Sequence, residues 1–551
     1  MFRFSIAAVL LASSAPLLAQ ETAPAPAATA AAEAELTPEQ ALMRSHVMFL
    51  ASDALKGREA GTPEYEIAAE YVASQFYAQG LKPAGDKGSF LQKVPLLSYT
   101  PVDKGSFVLT RGGKSETLEF GTDYLPGADP SRDVTRVDAP VVFVGYGIDA
   151  PQFGRKDYGS VDVKGKIVAF FGGAPRAFPG EERAHFGNNG NKIAYAATKG
   201  AVGVIILESP ITAKVRPFSR SVDSWDSARM TWAHPDGTGY VPAPRTPGVG
   251  ALSLAGAEKL FAGAKVKWAD LAKRAETDGA KFTPVELPTR LAVTLKTARK
   301  PITSYNVAAL LPGSDPAVKD EIVVLSAHLD HVGIGKGKDG DTIYNGAMDN
   351  SVGIASLIEE ARRFKMSGTP PRRSILFLAV TAEEKGLVGS DYFARNPSVP
   401  KEDIVADVNL DMPILTYAFE DMIAFGADRS TLGPIVRKAV GDLGVPFSPD
   451  PMPDQGIFTR SDHYRFVQQG VPSVFLWPGQ KGAGKAAVEE FFAKHYHQAS
   501  DEVSLPINWQ SGVRFIEANY AIARAIADAD QRPAWNKGDF FGTLYGGYGA
   551  Q

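Results

Sequence analysis

The chain has 551 residues, 44% hydrophobic and 22% charged, enough for more than one apolar core at about 150 residues per domain. A net charge of −4 gives no electrostatic basis for holding nucleic acid. There is no cysteine, which excludes disulfides, thiolate metal sites, a cysteine nucleophile and a lipid-anchored cysteine.

Residues 1–19 read as a secretory signal peptide: Arg3 supplies a positive start, residues 6–18 are mostly apolar, and small residues surround Ala19. That run is shorter than the ~20 residues a spanning helix needs. Residues 20–35 form an Ala/Pro-rich linker. The expectation is an exported bacterial protein, periplasmic or secreted, with no membrane attachment after signal cleavage.

Residues 36–57 and 63–80 carry apolar side chains at helical spacing, with Thr37-Pro38-Glu39 as a starting signal and Gly80 as a stop. Between them LKGREAGTPEYE marks a structured loop, in which Arg58 reads as a surface or ion-pair residue. Alternating runs such as SFVLT predict strands over 92–120. From about Ala139, PVVFVGYGI, KIVAFFGG and GAVGVIILES predict short strands, with a helix at 192–199. Residues 209–247, rich in Arg, Ser, Pro and Trp, read as an elaborated loop region, followed by a strand at 247–254 and a helix at 256–264. His185 and His234 are isolated and read as surface or core residues.

From Tyr305 strands and helices alternate, which predicts a mostly parallel sheet with helices on its faces. NVAALLP, EIVVLSA, SILFLAV, VADVNLD, MIAFGA and VPSVFLWP are the strands; 352–363, 432–443 and 511–529 are the helices. The tail FFGTLYGGYGAQ is rich in Gly and Tyr and suggests no function.

Candidate chemistry gathers where these strands end. His328 closes EIVVLSAH, Asp349 stands where a helix begins, SILFLAV runs into Glu383 and Glu384, VADVNLD ends at Asp411, and YHQASDE places Tyr496 and His497 in a polar loop. Each has an ordinary explanation alone: His-x-Asp-His occurs in solvated loops, and an acidic pair suits a helix start. Five nitrogen and oxygen ligands from five segments are harder to explain so. A carboxylate can offer one oxygen to each of two metals, and hydrolysis needs a second, free carboxylate to take a proton from water.

In AHLDH, GAMDNSVG, FLAVTAEEKGLVGS, VNLDM, RSDHYRFVQQGVPS and YHQASDE the chain resembles the M28 family of zinc-dependent aminopeptidases. The resemblance covers about 303–529, and LKGREAGTPEYEIAAEYVASQFYAQGLKPAGD resembles the family's opening segment. VKGKIVAF and KIAYAATKGAVGVIIL resemble the protease-associated domain often inserted in it. The implied fold is α/β: a mostly parallel or mixed sheet sandwiched by helices, of the phosphorylase/hydrolase-like zinc exopeptidase type, with a smaller β-rich insertion. The implied division is 36–125 and 288–530 for the peptidase domain, 126–287 for the insertion and 531–551 for the tail.

The resemblance implies two Zn2+ ions, one on His328 and Asp411, the other on Glu384 and His497, with Asp349 bridging. It makes Glu383 the general base, Asp330 the partner that orients His328, and Tyr496 the donor to the developing oxyanion. The long Gly/Lys-rich loop between His328 and Asp349, and the proline after Met412, depart from the family pattern. His331, His463 and His495 read as packing or pocket-lining groups, His463 being the strongest of the three for substrate contact. The expected activity is removal of N-terminal residues from peptide substrates. The alternatives are a carboxypeptidase or dipeptidase on the same metals, with Arg460 or Arg465 nearest for a C-terminal clamp, cyclisation of N-terminal glutamine with one zinc, and a non-catalytic receptor-like module.

Overall fold

The structure is a computed structural model that describes residues 35–338 and 340–551; the expected signal at 1–19 lies outside the described residues. The first helix, α1 (Pro38–Leu50), starts where Thr37 accepts a hydrogen bond from the Gln40 amide while the Gln40 side chain accepts one from Thr37. This reciprocal cap satisfies two of the helix's free N–H groups. Helix α2 (Pro63–Ala78) follows the GREAGT loop.

The larger unit is built on a mixed sheet. Its strands are β1 (Leu91–Pro101), β2 (Val285–Leu311), β3 (Ile322–His328), β4 (Ser374–Val380), β5 (Ile404–Leu410), β6 (Met422–Phe425) and β7 (Ser473–Pro478). Their order is β6-β7-β5-β3-β4-β2-β1. The central β7, β5, β3 and β4 run parallel, and β6, β2 and β1 pair antiparallel at the two sides. Every residue of β3, β4 and β5 is buried, as a sheet covered on both faces requires.

Successive side chains on these strands feed different cores. Val323, Leu325 and Ala327 join Ile375, Phe377 and Ala379 under α1, α2, α3 (Val352–Met366) and the long C-terminal helix Trp509–Ala527. Val324 joins Leu376, Leu378 and Val380 against Phe393 and Phe466 on the other face. The architecture is a mixed α/β sandwich, with the predicted helices and strands from Tyr305 onward present.

A second apolar core centres on Phe107, Phe143, Phe171, Leu252, Phe261 and Leu291. It takes in strands Ser106–Arg111 and Tyr124–Pro126, so it begins before residue 126. Strand β2 joins the two units. Its first half pairs with Val134–Phe143 and Ser106–Arg111, and its second half with β1 and β4. The tail folds over the junction: the Trp535 indole N–H donates to the Gly470 carbonyl at 2.8 Å, and Phe540, Phe541 and Tyr545 surround His185. Arg429 pairs there with Glu181, with Glu182 at 2.9 Å and with Asp539 at 3.0 Å. Among the described residues no helix is long and apolar enough to cross a membrane.

Candidate metal centre

The candidate ligands lie where the parallel strands β3, β4 and β5 end on one edge of the sheet, the position at which α/β sheets bind ligands. His328 is the last residue of β3, Glu383 and Glu384 follow β4 after Ala382, and Asp411 follows β5. Ala382, Met412 and His497 all have positive φ, so the chain turns sharply at each of these points. Asp349 lies in an irregular turn just before α3.

Asp349 stands between two sets of donors. Its Oδ1 is 3.2 Å from His328 Nε2, which is 3.0 Å from Asp411 Oδ1. Its Oδ2 is 3.3 Å from His497 Nε2, which is 3.1 Å from Glu384 Oε2. His331 joins the second set, with Nδ1 2.8 Å from Glu384 Oε1 and 3.9 Å from Asp349 Oδ2. That 2.8 Å approach is out of line for a hydrogen bond, and both His331 nitrogens and Glu384 Oε1 are buried without a hydrogen-bond partner. Two groups that could each hold a metal ion result: His328, Asp349 and Asp411, and His331, Asp349 and Glu384.

The charges at the site act on one another. Burial opposes a charged His328, but Asp411 and Glu383 drive its pKa well above the ordinary value. Burial also opposes a charged His497, whose contacts with Asp349 and Glu384 push it up to about 10. Burial and Asp349 work to raise Glu384, yet His331 and His497 hold it below the usual carboxylate range. Glu383 goes the other way: burial, joined by Asp411 and Glu384, lifts it well above that range. Two adjacent carboxylates thus differ in proton affinity, as separate acid–base and ligand duties require.

Backbone groups around the site are held by side chains that a pattern search passes over. Arg58, 1% exposed, is not a surface residue. Its guanidinium donates to the carbonyls of Leu329 (3.0 Å), Leu50 (2.6 Å), Asn345 (2.5 Å) and Gly346 (3.1 Å). It thereby ties down the chain beside His328 and the turn before Asp349. Asp501 accepts from the amides of Met348 and Asp349. Asn350 donates to the Leu410 carbonyl and accepts from the Met412 amide, fastening the turn to the end of β5.

Asp330 differs from its expected role. His328 Nδ1 meets the backbone carbonyl of Asp330 at 3.1 Å, while the Asp330 carboxylate accepts from the amides of Glu383 and Glu384. The side chain therefore shapes the Glu383–Glu384 turn, and the main chain orients His328. His463 is a packing group and not a pocket wall: it is fully buried between Phe458 and Phe475. His495 is half-buried, with Nδ1 2.9 Å from Ser500 Oγ. Tyr496 stacks on His497 with ring centroids 3.9 Å apart, and burial raises its hydroxyl pKa.

A pocket of about 60 Å³ opens on Glu383, Glu384, Asp349 and Asp411. Its other walls include Met412, Ile457, Phe475, Trp477, Phe492 and Tyr496, with Arg460 at the side. Arg465 is not among them; it donates to the Gly386 carbonyl.

Residues 306–523 match the family model described as Peptidase family M28, and this stretch holds every residue of both donor sets. An M28-type peptidase fold around a candidate binuclear metal site is thus established for it. The chain is 30% identical over 216 residues to Leupeptin-inactivating enzyme 1 of Streptomyces exfoliatus, covering 37% of this chain and 44% of that protein. It is 27% identical over 433 residues to an aminopeptidase of Pseudomonas aeruginosa, covering 77% of this chain and 67% of that one. To the "Probable glutamate carboxypeptidase VP8" of Zea mays it is 25% identical over 459 residues, 77% of this chain and 59% of that one. The chain spans less than half the length of the Streptomyces relative.

Proposed function

We propose that the chain is an exported two-zinc aminopeptidase that removes N-terminal residues from peptides. The single observation that carries this reading is the placement of Asp349, with one carboxylate oxygen facing each donor set. The donor chemistry fits zinc: imidazole and carboxylate, no thiolate, and a buried imidazole and carboxylate oxygen without hydrogen bonds. His328 and Asp411 would hold one ion and Glu384 and His497 the other, with Asp349 shared and His331 a further nitrogen beside the second.

Bound zinc would supply Lewis-acid polarisation of the scissile carbonyl and a lowered pKa for the attacking water. Glu383, its proton affinity raised by burial, takes the water's proton and returns it to the departing amine. The Tyr496 hydroxyl, on the pocket wall, donates to the oxygen that gains charge. The apolar walls of the pocket, Met412, Ile457, Phe475, Trp477 and Phe492, suit one hydrophobic side chain at the substrate N-terminus, and its carboxylates suit a free α-amine.

The β-rich unit reads as an inserted protease-associated domain; none of the metal donors lies in it. The signal-like residues 1–19 support export. A carboxypeptidase is the second reading, favoured by the exposed Arg460 guanidinium beside the pocket and by the name of the Zea mays relative. Peptides blocked separately at each end decide between them. N-acetylation should abolish cleavage, and the product released from unblocked peptides should be the first residue. Release of the last residue instead would overturn the aminopeptidase reading.

A further inference from the structure

A second cavity, about 450 Å³, lies between the two units beside the metal pocket. Its near walls continue those of the metal pocket in sequence. Gly386 and Leu387 follow Glu384, and Thr459 precedes Arg460. Its far walls come from the two stretches to which the sequence assigns no role: Trp232 and Tyr240 from 209–247, and Tyr545 from the tail.

The charges lining this cavity do not cancel. They are Asp391, Arg395 and Arg465, one negative against two positive. Asp391 is already engaged, accepting from Arg395 Nε at 2.9 Å and from the Trp232 indole N–H at 2.7 Å. The hydrogen bonds of Arg465 go to neutral oxygens, the Gly386 carbonyl at 2.9 Å and the Gln468 side chain at 3.0 Å. Its Nε is buried with no hydrogen-bond partner, and its distance to Asp391 is 3.9 Å. A guanidinium whose nearest carboxylate stands at 3.9 Å and is held by two closer donors can still take a carboxylate ligand on parallel N–H groups.

We propose that this cavity is a subsite for the downstream part of the peptide, in which Arg465 binds a carboxylate two or three residues beyond the scissile bond. The inference rests on the aminopeptidase reading and deepens it. The spacing follows from the chain: Arg465 is bonded to Gly386, two residues past Glu384. That bounds their separation at about 10 Å, the reach of at most three residues of extended peptide at roughly 3.3–3.6 Å per residue. The carboxylate can be the C-terminus of a tri- or tetrapeptide, or an acidic side chain at the same position in a longer one. Aromatic walls from Trp232, Tyr240 and Tyr545 would pack against the intervening residues.

The experiment measures kcat/KM of the metal-loaded enzyme on peptides of two to six residues, each as free acid and as C-terminal amide, with products identified by mass. The free acid should be favoured roughly ten-fold or more at three and four residues, and the preference should fade in longer peptides. Aspartate at the third or fourth position of a hexapeptide amide should restore it, which separates the two sources of carboxylate. Arg465→Gln should remove the acid preference and Arg465→Lys should keep part of it, both through KM more than kcat. Equal rates for acid and amide at every length in the unaltered enzyme overturn the subsite. Failure of the aminopeptidase reading would look different, because the first residue would not be the one released.

Discussion

The carboxylate of Asp501 accepts hydrogen bonds from two consecutive amides, Met348 at 2.8 Å and Asp349 at 3.0 Å. Asp349, the candidate shared by both donor sets, is therefore held through its own backbone by a residue four positions after His497. Burial raises the Asp501 pKa to about 6, with His331 acting against it. Asp501→Ala would leave two buried N–H groups without acceptors, at about 1–3 kcal/mol each. The expected outcome is a loss of about 2 kcal/mol or more in denaturant unfolding, with weaker metal binding. Asp501→Asn, which keeps one carbonyl acceptor, should fall between. Wild-type stability and metal affinity in Asp501→Ala would show that the turn holds itself.

The adjacent glutamates should separate under substitution. Glu383→Gln is expected to retain both zinc ions and lose roughly 10²–10⁴-fold in kcat, the contribution of a positioned acid–base group. Glu384→Gln replaces an anionic donor with a neutral one and should lower zinc content. Zinc analysis and turnover on the same preparations check both, and equal zinc loss in the two variants would contradict the division of labour.

His331 gives a third outcome. Its Nδ1 sits 2.8 Å from Glu384 Oε1 without a usable hydrogen bond. His331→Ala should weaken the second ion by roughly 10–100-fold, as loss of a group supporting a metal ligand does. Competition with a chelator measures this, and unchanged affinity would reduce His331 to packing.

The pH dependence of stability should carry the signature of His463. Burial holds its imidazole neutral, down to about 3. A depressed histidine binds its proton only on unfolding, so its contribution is intact above the unfolded value near 6.5. Stability is then lost as pH falls from there toward about 3, by roughly 1.4 kcal/mol per pH unit. His463→Leu should flatten the stability curve between pH 6.5 and 4.5 relative to the parent. Parallel curves would mean that His463 is solvated or charged in the fold.

Much of this was legible in the sequence where periodicity carried it. The parallel strands were visible as short apolar runs, and the candidate ligands stood at their ends, so one edge of one sheet collected them. Arg58 was not legible because its partners are four carbonyl oxygens, and carbonyls leave no mark on residue identity. Asp501 lies in YHQASDE but works on backbone amides, which are equally silent. The first half of β2 alternates buried and exposed residues, Leu287, Thr289, Leu291 and Val293 facing in, but its length hides it among runs of strand size. Asp330 shows the remaining limit: residue type suggested a contact to His328, but which atoms meet depends on how the strand end turns.

The 27-residue β2 has a mechanical consequence. Proteins that clamp a ligand between two lobes generally pivot on a few loose residues, whereas here the connection is continuous ladder, hydrogen-bonded to one sheet up to Lys296 and to the other from Thr297. Opening the space between the units would mean bending a strand against bonds on both sides, and breaking the Arg429 ion pairs as well. The gap is better viewed as a gauge of constant width. Selection by size would then be made at entry, by what can pass, and the rate of substrate admission should be insensitive to solvent viscosity beyond simple diffusion.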